Sequence, residues 1–371
     1  MAKSLGNQPL VNSMLKDDSI LIEVGGSVRR IKLSNLAESL NQGDELMLSQ
    51  VAWGIPIKHA SQSSPAWGRV GNLGMWEEYK RMTGRYLVKN NGDAAPLHPN
   101  DSSRYADGSV LDESKGHVMV ISPRLYFRVQ EDTVTGIPTL WLSMLPIGGN
   151  YIGTADNGMY NVQAAYMGRT VSGAMVSRSG LVPTGTKTIS AFWADAQANG
   201  SDWGLYSYDH MRLNAMHGLS IAGNADIQET VGYGLGGSSS STWDEGASSR
   251  ETGDTVALGN GTGKVDVNFG VGTKTCQVSL MGVEGLWNWR NIMTQGVYFG
   301  SSANSAQSGS EIFIYEGNRM PSTAELAAKP AGVYRELVRP TSRGYIKEVH
   351  LGENFDVVAK TLGGGSTSYW C

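Results

Sequence analysis

Residues 232–237, "GYGLGG", carry the spacing G-x-G-x-x-G through Gly232, Gly234 and Gly237. In a dinucleotide site such glycines let the backbone approach a pyrophosphate, provided that a strand precedes them and a helix follows. Here "SSSSTWDEG" follows and has no helical periodicity, so the spacing predicts a turn. "GNGTGKVD" (259–266) offers Gly263-Lys264 but not the Ser/Thr that a phosphate loop places on magnesium, and it too predicts a turn. His210 and His217 stand seven apart with no third ligand, whereas paired metal histidines on a helix favour i, i+4 spacing. They are expected to be satisfied or exposed helix histidines. Asp195, Asp202 and Asp209 also recur every seven residues, but Gly200 and Gly204 interrupt any shared helical face, which leaves solvated acids or caps. Asp244, Glu245, Glu251 and Asp254 have calcium-binding chemistry without the regular spacing of a calcium loop. No serine sits in motif context with a histidine and an acid, and neither Cys276 nor Cys371 lies in a metal or redox motif. The sequence therefore predicts no catalytic residue, no metal and no cofactor.

The elements that would position these residues are mostly short. "SILIEV" alternates, "SVRRIKL" answers it, and Gly25-Gly26 between them suits a two-residue hairpin turn that needs positive φ. Ser34 or Asn35 caps a short helix with Leu36 and Leu40, Glu38 closing a capping box on Asn35. Such a hairpin-helix head, residues 1–45, buries too little to stand alone and calls for a partner surface. Residues 46–180 hold short apolar runs such as "HVMVI" (117–121), "RLYFRV" (124–129) and "TLWLSMLP" (139–146), which read as strands. One helix is placed where Trp76, Tyr79 and Met82 fall at helical spacing. A second covers 186–200, with Ile189, Phe192, Trp193 and Ala196 on one face. A third covers about 205–222, with Tyr208, Met211, Ala215, Met216 and Leu219 along one stripe. Residues 232–263 are Gly/Ser-rich and aperiodic, the pattern of a long functional or mobile loop. After residue 264 come strand-like pieces: "KVDVNFGV", "TCQVSLMGV", "GVYFG", "EIFIYEG" and "YIKEVHL". The expected fold class is thus α+β and β-rich: a head (1–45), a β-rich middle (46–180) and a C-terminal domain (181–371) of two helices and a loop-rich sheet.

Composition narrows the function. Glycine supplies 48 of 371 residues and charged residues only 17%, which suits a loop-rich β-containing protein. A net charge of −4 with dispersed Lys and Arg argues against a nucleic-acid partner. No apolar run approaches the roughly 20 residues of a membrane span, and the N-terminus lacks the apolar core of a secretory signal, so cytoplasmic synthesis without membrane insertion is expected. Tryptophan (10) outnumbers phenylalanine (6), a balance that suits binding surfaces as well as cores.

The stretch "GVEGLWNWRNIMTQG" (282–296) sets Trp287 and Trp289 two apart between glycines. Its core, Gly285-Leu286-Trp287-Asn288-Trp289, resembles the Gly-Asn-Val-Trp-Glu-Trp segment of the formylglycine-generating-enzyme superfamily, a variant of the C-type lectin fold, with arginine replacing the usual acid. Residues 188–228 resemble the paired-helix segment of one branch of that superfamily: surface-display proteins of gut Bacteroidales and their phages, including targets of diversity-generating retroelements. Residues 1–45 resemble the attachment head of phage tail fibres. The resemblance covers 1–45 and 160–371. It implies a phage tail fibre or tail-tip receptor-binding protein, located in the virion tail after synthesis in the host cytoplasm. The head would meet tail or baseplate proteins, the chain would form a homotrimer, and loops would meet a host surface receptor, glycan or protein. Trp193, Leu286, Trp287 and Trp289 would be scaffold core; Trp243, Tyr369 and Trp370 would be receptor contacts. The late cysteine pair of the superfamily's oxidases has no counterpart here, so an oxidase is disfavoured. A bacterial surface or pilus-tip adhesin is the alternative, and it predicts a signal peptide or lipobox. Relatives continue past a stretch like "FDVVAKTLGGGSTSYWC" into a sheet-closing run, so either another polypeptide completes the fold or the receptor-contacting strands lie beyond Cys371.

Overall fold

A computed structural model describes residues 48–58, 67–131, 135–148, 150–155, 157–224, 227–236, 249–267, 275–287, 289–290, 292 and 294–295. It also gives the backbone of residues 45–47 and of five strands, Ser19–Val24, Ser27–Lys32, Val297–Phe299, Ile312–Tyr315 and Tyr334–Leu337. The chain is mixed α+β and sheet-rich. Ser19–Val24 and Ser27–Lys32 pair antiparallel with Val24 opposite Ser27, the register a two-residue turn at Gly25-Gly26 dictates. The short helix expected at 35–40 and the strand expected at "YIKEVHL" lie outside the described residues.

Two five-stranded antiparallel sheets form the frame. The first runs Asn150–Ile152, Leu125–Glu131, Pro138–Ser143, Trp53–Pro56, Val70–Gly71 in spatial order. The second runs Tyr160–Ala164, His117–Pro123, Gly84–Val88, Ala94–His98, Asp101–Tyr105. In Leu125–Glu131 the alternation is plain: Leu125 and Phe127 are buried, Tyr126 and Arg128 only partly. His117–Pro123 is instead buried on both faces, which is why it reads as a continuous apolar run. Val118 and Val120 join Leu87, Leu97, Val278 and Leu280 on one side, while Met119 and Ile121 join Val88, Val162 and Trp203 on the other.

Five helices follow in chain order among the described residues: α1 (Glu45–Val51), α2 (Leu73–Met82), α3 (Ile189–Gln197), α4 (Tyr208–Ala222) and α5 (Ile227–Val231). Asn72 caps α2 through Met75 N, and Trp76 and Tyr79 are its buried residues. Thr188 caps α3, which ends at Gln197, two residues before Asn199. Phe192 and Ala196 are buried there, whereas Ile189 and Trp193 are only partly so. α4 begins at Tyr208 rather than 205 because Ser207 is extended (φ −103°) and closes a reciprocal capping box with His210. Gly223 in the left-handed region (φ 62°) ends it.

α4 is a wedge between the sheets, and its two sides use different chemistry. Leu213, Met216 and Leu219 pack with Trp53, Trp76, Leu125, Phe127, Leu140 and Leu142 of the first core. Trp53 also donates Nε1–H to Ser220 Oγ (3.1 Å) and lies 5.3 Å from the Trp76 ring. Each such fully buried large side chain contributes about 1.5–3 kcal/mol. The opposite side carries His210, Asn214 and His217 at i, i+4 and i+7. Asn214 exchanges two amide hydrogen bonds with Gln163 (2.8 and 3.1 Å), His210 Nε2 donates to Val162 O (3.0 Å), and His217 Nε2 lies 2.9 Å from Tyr79 OH. The stripe of five apolar positions is therefore too narrow: Ala215 is only partly buried, while the polar side is buried.

Packing runs straight across position 180, the expected boundary between the middle and C-terminal regions. α4 shares the first core with strands of residues 53–152, and Cys276, Val278, Leu280, Val283 and Leu286 share the second with Leu87, Val118, Val120 and Tyr166. No helix among the described residues is long and apolar enough to cross a membrane.

Candidate functional site

The hairpin of Cys276–Leu280 and Val283–Glu284 organises the site. Leu280 opposes Val283, so Met281 (φ 49°) and Gly282 (φ 85°) form a two-residue turn with both residues at positive φ, the geometry that matches strand twist. After it come Leu286, 9% exposed, Trp287, half-buried, and Trp289, fully buried. Gly285 (φ 71°) is required here, because a Cβ would stand 2.5 Å from Trp289 Cε3.

These residues hold one flank of the Gly/Ser-rich segment. Trp287 Nε1–H donates to Gly232 O (2.8 Å), and Cys276 N–H donates to Gly234 O (3.2 Å). Leu235 packs with Trp289 and Val267 in a small buried cluster. Gly232 and Gly234 thus belong to a turn stitched to the hairpin, while Gly237 lies outside the described residues.

The other flank is held by buried charge. Glu284 accepts from Gly253 N (2.8 Å) through Oε1, and from Thr255 N (2.8 Å) and Thr255 Oγ1 (2.7 Å) through Oε2. The Thr255 hydroxyl in turn accepts from Arg85 Nη2 (2.9 Å). Arg85, with no exposed surface, also donates to Gly282 O (2.7 Å), Ser102 Oγ (3.0 Å), Tyr166 OH (3.1 Å) and Thr255 O (3.3 Å). Burial pushes the Glu284 carboxyl up, against the pull of its three donors and Arg85. Burial likewise pushes the Tyr166 phenol up. Thr252 adds a further tie, its hydroxyl donating to Arg178 O (2.6 Å) while its carbonyl accepts from Gly180 N (2.7 Å).

The histidines are core groups. His210 accepts from Ser207 N at Nδ1 (3.1 Å) and donates from Nε2, so both ring nitrogens are used. His217 Nδ1 has no hydrogen-bond partner, and Tyr79, 3.2 Å from Ser122 Oγ, completes a buried Ser122–Tyr79–His217 row. Burial pushes His210 down to about 4 and His217 to about 3, so both are neutral at pH 7. Ser122, Tyr79 and His217 are each at most 2% exposed, which makes the row a strut between α2, α4 and the second sheet.

The acids divide. Asp195 is held by Lys187 and Thr170, Asp209 by Arg212 (2.9 Å) and Asp254 by Arg250, so these acids sit in partly buried ion pairs rather than as solvated acids or caps. Asp202 instead lines a cleft of about 190 Å³ with Val88, Lys89, Asn90, Ala155, Val162, Asn199, Ser201 and Trp203. Behind the cleft His117 packs 4.4 Å from the Trp203 ring and donates from Nε2 to Asn90 Oδ1 (2.8 Å). Burial pushes His117 down to about 4. Asn90 Nδ2 reaches Asn199 Oδ1 (3.4 Å), and Asn199 Nδ2 donates to Met175 O (2.7 Å). Among the described residues no group of three or more His, Cys, Asp or Glu is placed to hold a metal ion.

The expected receptor contacts Trp243, Tyr369 and Trp370 lie outside the described residues, as do Asp244 and Glu245. Of the four expected scaffold residues, Trp289 and Leu286 are buried, while Trp287 and Trp193 are half-buried. Arg85, Glu284 and Thr255 carry no motif; the available signal was parity, since Arg85 shares a strand face with Leu87, which belongs to an apolar core. No family, no curated protein and no solved structure matches this chain.

Proposed function

We propose that the chain is a phage tail receptor-binding protein, in which a lectin-like scaffold displays binding segments to the host surface. One observation carries this reading. Both flanks of residues 237–248 are fixed to the same hairpin, by Trp287 and Trp289 on one side and by Glu284 on the other. A frame of this kind lets the sequence between the anchors vary while the core stays unchanged. Residues 237–248, with Trp243, are then the first candidates for receptor contact, and the N-terminal hairpin is the candidate tail-attachment head. Assembly as a homotrimer would multiply weak contacts into avidity. The test is flow cytometry of fluorescently labelled chain on a panel of Bacteroidales strains. Saturable binding to a subset of strains is expected, and absence of saturable binding on every strain would overturn the assignment.

A further inference from the structure

The cleft described above is separate from the framed segment: it lies between residues 88–92 and residues 199–203 and includes none of the hairpin. Its floor and its rim differ in kind. Val88, Ala155, Val162 and Trp203 are each at most 8% exposed and form an apolar floor continuous with a buried cluster. Lys89, Asn90, Ser201 and Asp202 lie at the rim, partly or fully exposed. A small set of polar groups around an apolar floor is the usual anatomy of a small-molecule site.

The rim is pre-organised. His117 is 3% exposed and fixes the Asn90 amide through its oxygen, and Asn199, 8% exposed, takes up the next link. The Asn90 amide has two N–H donors, and the relay commits one of them. Lys89 meets Asp93 only at 3.6 Å and at an exposed position, a pairing of little energetic weight. The rim thus offers an ammonium, an amide N–H, a hydroxyl and a carboxylate around one small volume.

We propose that this cleft binds a single pyranose ring of a host-surface polysaccharide. Each sugar hydroxyl both donates and accepts, which matches a rim holding donors and an acceptor together. The C–H face of the ring would lie on the Val88, Val162 and Trp203 floor. The cleft volume of about 190 Å³ accommodates one ring. A phosphate-bearing ligand would meet the Asp202 carboxylate beside the lone Lys89, so the charge balance disfavours it. The inference rests on the adhesion reading for the source of the sugar, while the site itself stands on its own geometry.

Ligand-observed saturation-transfer NMR on the full chain tests it, with the methyl glycosides of glucose, galactose, mannose and N-acetylglucosamine as probes. At least one is expected to bind, with a dissociation constant on the order of millimolar, as befits a ligand that small. Asp202→Ala should weaken that binding about tenfold or more, and Ser201→Trp, which fills the cleft from its exposed rim, should abolish it with the melting temperature kept. Absence of transfer to all four glycosides, or equal binding by the Ser201→Trp chain, would overturn the proposal. Cell binding by the unmodified chain separates the two readings. Adhesion without glycoside binding sinks the cleft and leaves the display assignment standing, whereas glycoside binding without adhesion does the reverse.

Discussion

The two anchors of residues 237–248 solve one problem with opposite chemistry. On the N-terminal side Trp289 and Leu235 are buried apolar groups, and directed bonds run from the Trp287 N–H to Gly232 and from the Cys276 N–H to Gly234. On the C-terminal side Glu284 and Arg85 are buried charges joined through Thr255, and nearly every link is a directed hydrogen bond. Apolar burial is tolerant of small shifts, whereas a buried charge left without its partner is strongly penalised. The charged anchor therefore fixes position, and the indole anchor supplies much of the burial.

Breaking either anchor outright should have the largest effects. Arg85→Met leaves Glu284 buried without its cation and should cost about 3–5 kcal/mol in denaturant unfolding. The double variant Arg85→Met/Glu284→Gln should recover much of that loss. If the two changes simply add, Arg85 and Glu284 are not one unit and the comparison fails. Trp289→Ala should cost about 3–5 kcal/mol as well, but through a cavity, with no rescue by changes at Glu284. Trp287→Phe keeps most of the ring and removes the bond to Gly232, so a loss of about 1 kcal/mol is expected.

Acid should act chiefly through the buried histidines, His210 and His217 of the α4 wedge and His117 behind the cleft. The raised Glu284 carboxyl takes up a proton in the native state and offsets part of the loss. His210 and His217 are held near 4 and 3 against an ordinary value of 6.5. Between pH 6.5 and about 4 the unfolded chain binds protons that the native chain refuses, so stability falls as pH falls. The loss should approach roughly 1.4 kcal/mol per histidine per pH unit. A melting temperature that stays constant from pH 7 to pH 5 would contradict the burial of these rings as neutral groups.

The anchors and the wedge also mark how far the sequence could be read. The Gly25-Gly26 hairpin, the strands at 117–123 and 125–131 and the cap-bounded helices were legible because turn chemistry and periodicity are local signals. α4 was legible as a helix but not as a wedge, because nothing local shows that His210 and Asn214 will meet the strand at Tyr160–Ala164 and that His217 will meet Tyr79 of α2. Arg85 and Glu284 sit 199 positions apart by their numbering, and nothing local announces that a threonine hydroxyl will join them. The cleft was hidden for the same reason, since Asn90 and Asn199 meet only after folding.

The central claim is that the frame and the segment it holds are separable, one for folding and one for binding. Replacing residues 238–247 with a Gly/Ser sequence of equal length tests it directly, with thermal melting and cell binding measured on the same preparation. The account predicts a melting temperature within about 2 °C of the parent, because neither anchor is touched, together with loss of binding to the strains the parent recognises. Full retention of cell binding, or a collapse of the fold, would contradict it.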